Sequence, residues 1–161
     1  MAKIFHIPVF PFPQGIAGGS GFSESSNRSQ TQTGKLGATA IDPITNNIYM
    51  YVKAGAAIAA TDAVRFQGSA LGFDDVRPTS AVNQPIIGIA DVAFASGDYG
   101  WILVNGVTSM KTTGTLAVNV QLSSNGTAGT GAAYAAADIC TAVVTVLVNS
   151  ASPQVVRIVA N

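Results

Sequence analysis

His6 is the only histidine, Cys140 the only cysteine and Glu24 the only glutamate, and seven aspartates complete the acidic set. A Ser-His-Asp or Cys-His arrangement would need His6, which lies among prolines near the start of the chain, to fold back over everything that follows. One histidine, one cysteine and one glutamate cannot make a zinc set, and Asp74-Asp75 reads as a solvated turn, since neighbours on an extended chain point to opposite sides. Cys140 sits in an apolar run and reads as a small core residue rather than a nucleophile. The glycine-rich stretches Gly18–Gly21 and Gly126–Gly131 match neither a P-loop nor a dinucleotide fingerprint. The chain is therefore expected to be no enzyme and to carry no metal or cofactor.

The aromatic residues offer a different chemistry. Tyr99, Trp101 and Leu103 alternate onto one face of a strand and could stack on sugar rings, but Gly100, Ile102 and Val104 bring no polar group to orient a sugar. A core or interface anchor is the better reading. Tyr49 and Tyr51 fall on the polar side of an alternating strand and mark a contact patch, because tyrosine is enriched where surfaces meet. Tyr49, Tyr51, Tyr99 and Trp101 are thus candidate interface residues.

The elements that must position these residues are strands. Asn47–Lys53 alternates Ile48, Met50 and Val52 against Tyr49, Tyr51 and Lys53, the period of a half-buried strand with the aliphatic face inward. Ala63–Gln67, Pro85–Phe94, Tyr99–Val107, Thr108–Lys111, Leu116–Leu122, Ile139–Val148 and Gln154–Ala160 follow, separated by Gly, Asp, Asn, Ser and Pro turn signals. Arg157 takes the outward face of the last strand. Asn105-Gly106 fits either a type I′ hairpin or a glycine bulge within one longer strand. Ala54–Ala60 reads as a turn of small residues into Asp62, and Gly131–Asp138 as an irregular loop with at most a helical turn. The expected fold is all-β, a small antiparallel sandwich or barrel, jelly roll included.

Ahead of this body, residues 1–33 form an arm and linker, with the β domain assigned to 34–161. Pro8, Pro11 and Pro13 forbid a helix or a central strand there, so Ile4, Phe5, Ile7, Val9, Phe10 and Phe12 cannot cover one another. Burying each large side chain is worth roughly 1.5–3 kcal/mol, which another surface has to supply. Fully extended, such an arm reaches up to roughly 100 Å at ~3.3 Å per residue. The prolines also interrupt any secretory h-region, and no apolar run reaches the roughly 18–20 residues of a membrane span. Only 10% of residues are charged and the formal net charge is zero, a poor footprint for nucleic acid or anionic lipid. With 48% hydrophobic residues, the body is a poor surface for a free monomer.

Residue order adds a family likeness. Gly37–Asp42 (GATAID), Tyr49–Gly55 (YMYVKAG), Ala60–Val64 (ATDAV), Pro85–Asp91 (PIIGIAD) and Ser96–Gly106 (SGDYGWILVNG), with Leu122 and Ala128-Gly129, resemble the small decoration or cement proteins of tailed-phage capsids. The likeness spans about Gly34 to Gly131 and leaves out the arm. It implies an all-β domain on the outer face of a mature icosahedral shell, often trimeric, made in the host cytoplasm and reinforcing joints between units of the major capsid protein. The arm residues would then grip capsid protein or a neighbouring copy. A host-adsorption or carbohydrate-binding module of a head fibre or tail is the alternative.

Overall fold

A computed structural model describes residues 28–67, 73–82, 84–134, 142–148 and 150–160. Among them are no helices and eleven strands: β1 (Arg28–Ser29), β2 (Thr39–Ile41), β3 (Ile48–Lys53), β4 (Ala63–Phe66), β5 (Val76–Pro78), β6 (Gly88–Ile89), β7 (Tyr99–Met110), β8 (Gln121–Ser124), β9 (Gly131–Ala133), β10 (Ala142–Val146) and β11 (Gln154–Ala160). All their pairings are antiparallel, and they join into one sheet along the path β5-β4-β6-β7-β11-β10-β8-β9, with β1, β2 and β3 added to it. The all-β expectation holds.

The 12-residue β7 organises the sheet. Tyr99 pairs with both Lys53 and Ser29, Leu103 with both Tyr49 and Ile89, and Asn105 with both Ile48 and Val159. One edge of β7 therefore carries β3, while β1, β6 and β11 succeed one another along the other. Asn105-Gly106 makes no hairpin: Gly106 lies inside β7 at φ +135°, and the register of β3 shifts just before it, where Tyr49 pairs with Leu103 and Ile48 with Asn105, passing over Val104. A Cβ on Gly106 would fall 2.0 Å from Asn47 Oδ1, an atom that accepts from the Val107 N–H at 3.1 Å while Asn47 Nδ2 donates to the Val107 carbonyl at 3.2 Å. The single longer strand is the alternative the fold uses, with its bulge at Val104 and the glycine making room for an asparagine clip.

Both faces of the central strands are covered, because successive side chains alternate and each side has its own core. Leu103, Tyr49, Met110, Leu122, Val144, Val156 and Ile158 pack into one cluster, and Ile102, Val104, Val52, Val64 and Phe94 into the other. This corrects the reading of β3 as half-buried. Ile48, Met50 and Val52 do face a core, yet Tyr49 and Tyr51 are each only 2% exposed.

A duplicated unit, not anticipated from the sequence, underlies the centre. The segment β3-turn-β4 recurs at a constant offset as β6-turn-β7, and the two copies interlock. Ala54 N donates to Asp98 O at 2.8 Å, and the equivalent Ala90 N to Asp62 O at 3.0 Å. Thr61 N reaches Ala90 O and Gly97 N reaches Ala54 O, both at 2.7 Å, while Ile58 and Phe94 exchange reciprocal bonds at 3.0 and 2.8 Å. In each turn the aspartate accepts from a backbone N–H three residues earlier, Ala59 to Asp62 and Ala95 to Asp98, both at 2.8 Å. Thr61 and Gly97 share the left-handed backbone, at φ 68° and 91°. The strand registers follow the same symmetry: Lys53 pairs with Tyr99 as Ile89 does with Ala63.

Candidate interaction surface

The end of the segment expected to be arm and linker is built into the body. Arg28 and Ser29, inside the segment assigned by composition to the linker, pair with Gly100 and Tyr99 of β7. The Tyr51 hydroxyl accepts from Thr33 N at 3.0 Å and lies 3.1 Å from Thr33 Oγ1, and Gly37 N donates to Tyr51 O at 2.8 Å. A Cβ on Gly34 would sit 3.3 Å from the Tyr51 ring, so this glycine lets the chain lie flat on the aromatic face. Ile4, Phe5, Ile7, Val9, Phe10 and Phe12, together with His6, Glu24 and Cys140, lie outside the described residues.

The four aromatic candidates divide. Tyr49 and Tyr51 are covered by the chain itself and spend their hydroxyls internally, so neither presents a ring to a partner; the alternation that suggested a polar outer face had no means of showing a second core. Tyr99 and Trp101 stay half-buried. Trp101 packs on the first core and tilts against Tyr51 at 5.1 Å between centroids, and Lys53 Nζ stands 5.5 Å above the Tyr99 ring. Exposed aliphatics that sequence reasoning missed gather at the other end of β3 and β7: Ile41, Ile44, Val107 and Val159. Ile41 pairs with Ile48, Ile48 with Asn105 and Asn105 with Val159, placing one row across four strands. Only the register reveals that neighbourhood.

Polar chemistry in the described body serves to fasten loops. No group of three or more His, Cys, Asp or Glu suited to a metal occurs among the described residues. Asp91 is held between two hydroxyls: Tyr49 Oη donates to its Oδ2 at 3.0 Å and Thr108 Oγ1 to its Oδ1 at 2.5 Å. Burial raises its pKa above the ordinary value of 3.8, against the opposing pull of those two donors. Burial, then the Asp91 charge, likewise pushes the Tyr49 hydroxyl above its usual 10. Because Asp91 holds its proton more tightly in the folded chain, its contribution to stability is fully present below pH 3.8 and is lost as pH rises through the folded value. Denaturant midpoints between pH 3 and 7 should therefore show a downward component with rising pH that Asp91→Asn removes. A variant with the wild-type pH slope would contradict this.

The sequence matches no protein-family profile and no characterised protein sequence. Among solved structures, the fold is similar to that of the head fiber gp8.5 N base of bacteriophage phi29, with a TM-score of 0.52 and 13% identity, over 71% of this chain and 94% of that one.

Proposed function

We propose that this chain is a non-enzymatic structural protein of a phage virion, seated on the outer surface of the mature capsid and cementing neighbouring capsomers. The observation that carries the reading is the likeness of the fold, over 71% of the chain, to a phage head fiber base. A sparsely charged surface and an arm whose root is sealed into β7 support it. In this reading Ile4, Phe5, Ile7, Val9, Phe10 and Phe12 grip major capsid protein or a neighbouring copy, and the body assembles as a trimer. A ligand that binds only the assembled shell stabilises it by mass action, and many symmetry-related copies sum the effect. Shells lacking the protein should take it up saturably on co-sedimentation and melt at a higher temperature when decorated; no uptake would defeat the proposal.

The head fiber description of the phi29 protein also favours a second reading, a host-adsorption or carbohydrate-binding module. Trp101 would be its contact residue, although the ring is partly occupied by Tyr51 and the first core. A specific glycan-array hit lost on Trp101→Ala would support that reading, and an array without hits would leave the capsid reading alone.

A further inference from the structure

Four arginines occur in the chain, and two of them, Arg65 on β4 and Arg77 on β5, stand directly opposite each other in the sheet register. Opposed like charges on adjacent strands repel, so the pair needs a compensating acid. One is present. Asp75 takes the side edge of the Arg77 guanidinium, Oδ1 to Nε at 2.7 Å and Oδ2 to Nη2 at 3.1 Å. The carboxylate has its place because Gly55 leaves it open: a Cβ there would fall 1.6 Å from Asp75 Oδ1 and 3.2 Å from Arg77 Nε. Arg65 is poorly served by comparison. Its Nη1 donates to the Phe66 carbonyl at 3.3 Å, and among the described residues it forms no ion pair and its buried Nε has no partner, nor has the buried Oε1 of Gln67 on the same strand exit. Asp74, the adjoining acid, is exposed and pairs with neither arginine.

Each guanidinium offers two forked edges that suit a carboxylate. The side edge of Arg77 is filled; among the described residues its end edge and most of the Arg65 donors are not. Both arginines are half-buried; Arg77 lies on β5, the last strand of the sheet path, and Arg65 on the next strand in. We infer that the Arg65–Arg77 pair is a docking point for a carboxylate side chain of a partner protein. Two guanidiniums and one bound aspartate leave a single net positive charge, which a monovalent carboxylate neutralises. A polyanion finds no matching field elsewhere on a chain of zero net charge. The identification of that partner as capsid protein rests on the function proposed above; the site itself does not.

The test separates the two. In the 15N-labelled full-length chain, sodium acetate at constant ionic strength should shift the Nε–Hε signals of Arg65 and Arg77 saturably in the millimolar range. Arg65→Gln should weaken the response at Arg77 at least tenfold, and inorganic phosphate should bind no tighter than acetate. Absence of a saturable shift, an unchanged response in Arg65→Gln, or tenfold tighter phosphate binding would overturn the inference. With shells, Arg65→Gln should lower affinity about tenfold without lowering the melting temperature of the free protein. If the wild-type chain does not bind shells while acetate binds as described, the capsid reading fails and the carboxylate site stands.

Discussion

Removal of residues 1–27 is expected to weaken shell binding by about 100-fold or more, while the remaining body melts within about 2 °C of the intact chain. Six large apolar side chains, each worth roughly 1.5–3 kcal/mol when fully buried, set the gross scale. Ordering an extended segment consumes much of that, and a net ~2.8 kcal/mol already corresponds to 100-fold. The position of the cut matters. Arg28–Ser29 pair with β7 and Thr33 is bonded to Tyr51, so a deletion through residue 33 would strip part of the sheet and confuse loss of grip with loss of fold. Side-by-side titration of shells with the intact and shortened chains gives the comparison. Equal affinity would remove the arm from the account, and a shortened chain that no longer folds would show that the arm belongs to its own subunit.

The second large effect concerns the duplicated turns. Asp62→Ala should destabilise the body by about 3 kcal/mol and Asp98→Ala by only about 1–2 kcal/mol, although the two residues hold equivalent places. Each loses a bond from a backbone N–H, that of Ala59 or Ala95. Asp62 alone also accepts from Lys111 Nζ, at 2.5 Å, with the aspartate side chain 6% and the lysine 39% exposed. It also packs beneath Gly129, where a Cβ would fall 2.3 Å from the Asp62 carboxyl carbon. Lys111 can return to water after the substitution, which keeps the cost below that of a fully buried pair. Urea midpoints of the two variants decide the matter; equal losses would mean that the Lys111 contact contributes nothing.

The legible parts of the fold were those where local pattern and tertiary demand agree. Ile48–Lys53, Ala63–Phe66 and Gln154–Ala160 stand where β-branched alternation puts them, and Arg157 is outward as expected. Tertiary context redirected the others. The expected strand at Leu116–Leu122 begins only at Gln121, because Leu116 spends its N–H and carbonyl on the fully buried Gln154 side chain, at 3.1 and 3.0 Å. The apolar run Pro85–Phe94 keeps only Gly88–Ile89 as strand, since much of it forms the second interlocking turn. Gly131–Ala133, where a loop was expected, is drawn into a strand by pairing with Ser124–Leu122. The duplication leaves little trace in the sequence because the two turns, Ile58–Asp62 and Phe94–Asp98, share only an alanine and an aspartate at matching places. Of the candidate site residues, Trp101 and Tyr99 could be placed from alternation, whereas the Arg65–Arg77 pairing depends on a register that residues far apart in sequence create.

The most direct check is the copy number of this chain relative to the major capsid protein in purified virions, by quantitative mass spectrometry. A capsid-scale ratio, with many copies per particle in a fixed proportion to the shell lattice, is the predicted result. Absence from virions, or a handful of copies as in a tail structure, would contradict the account.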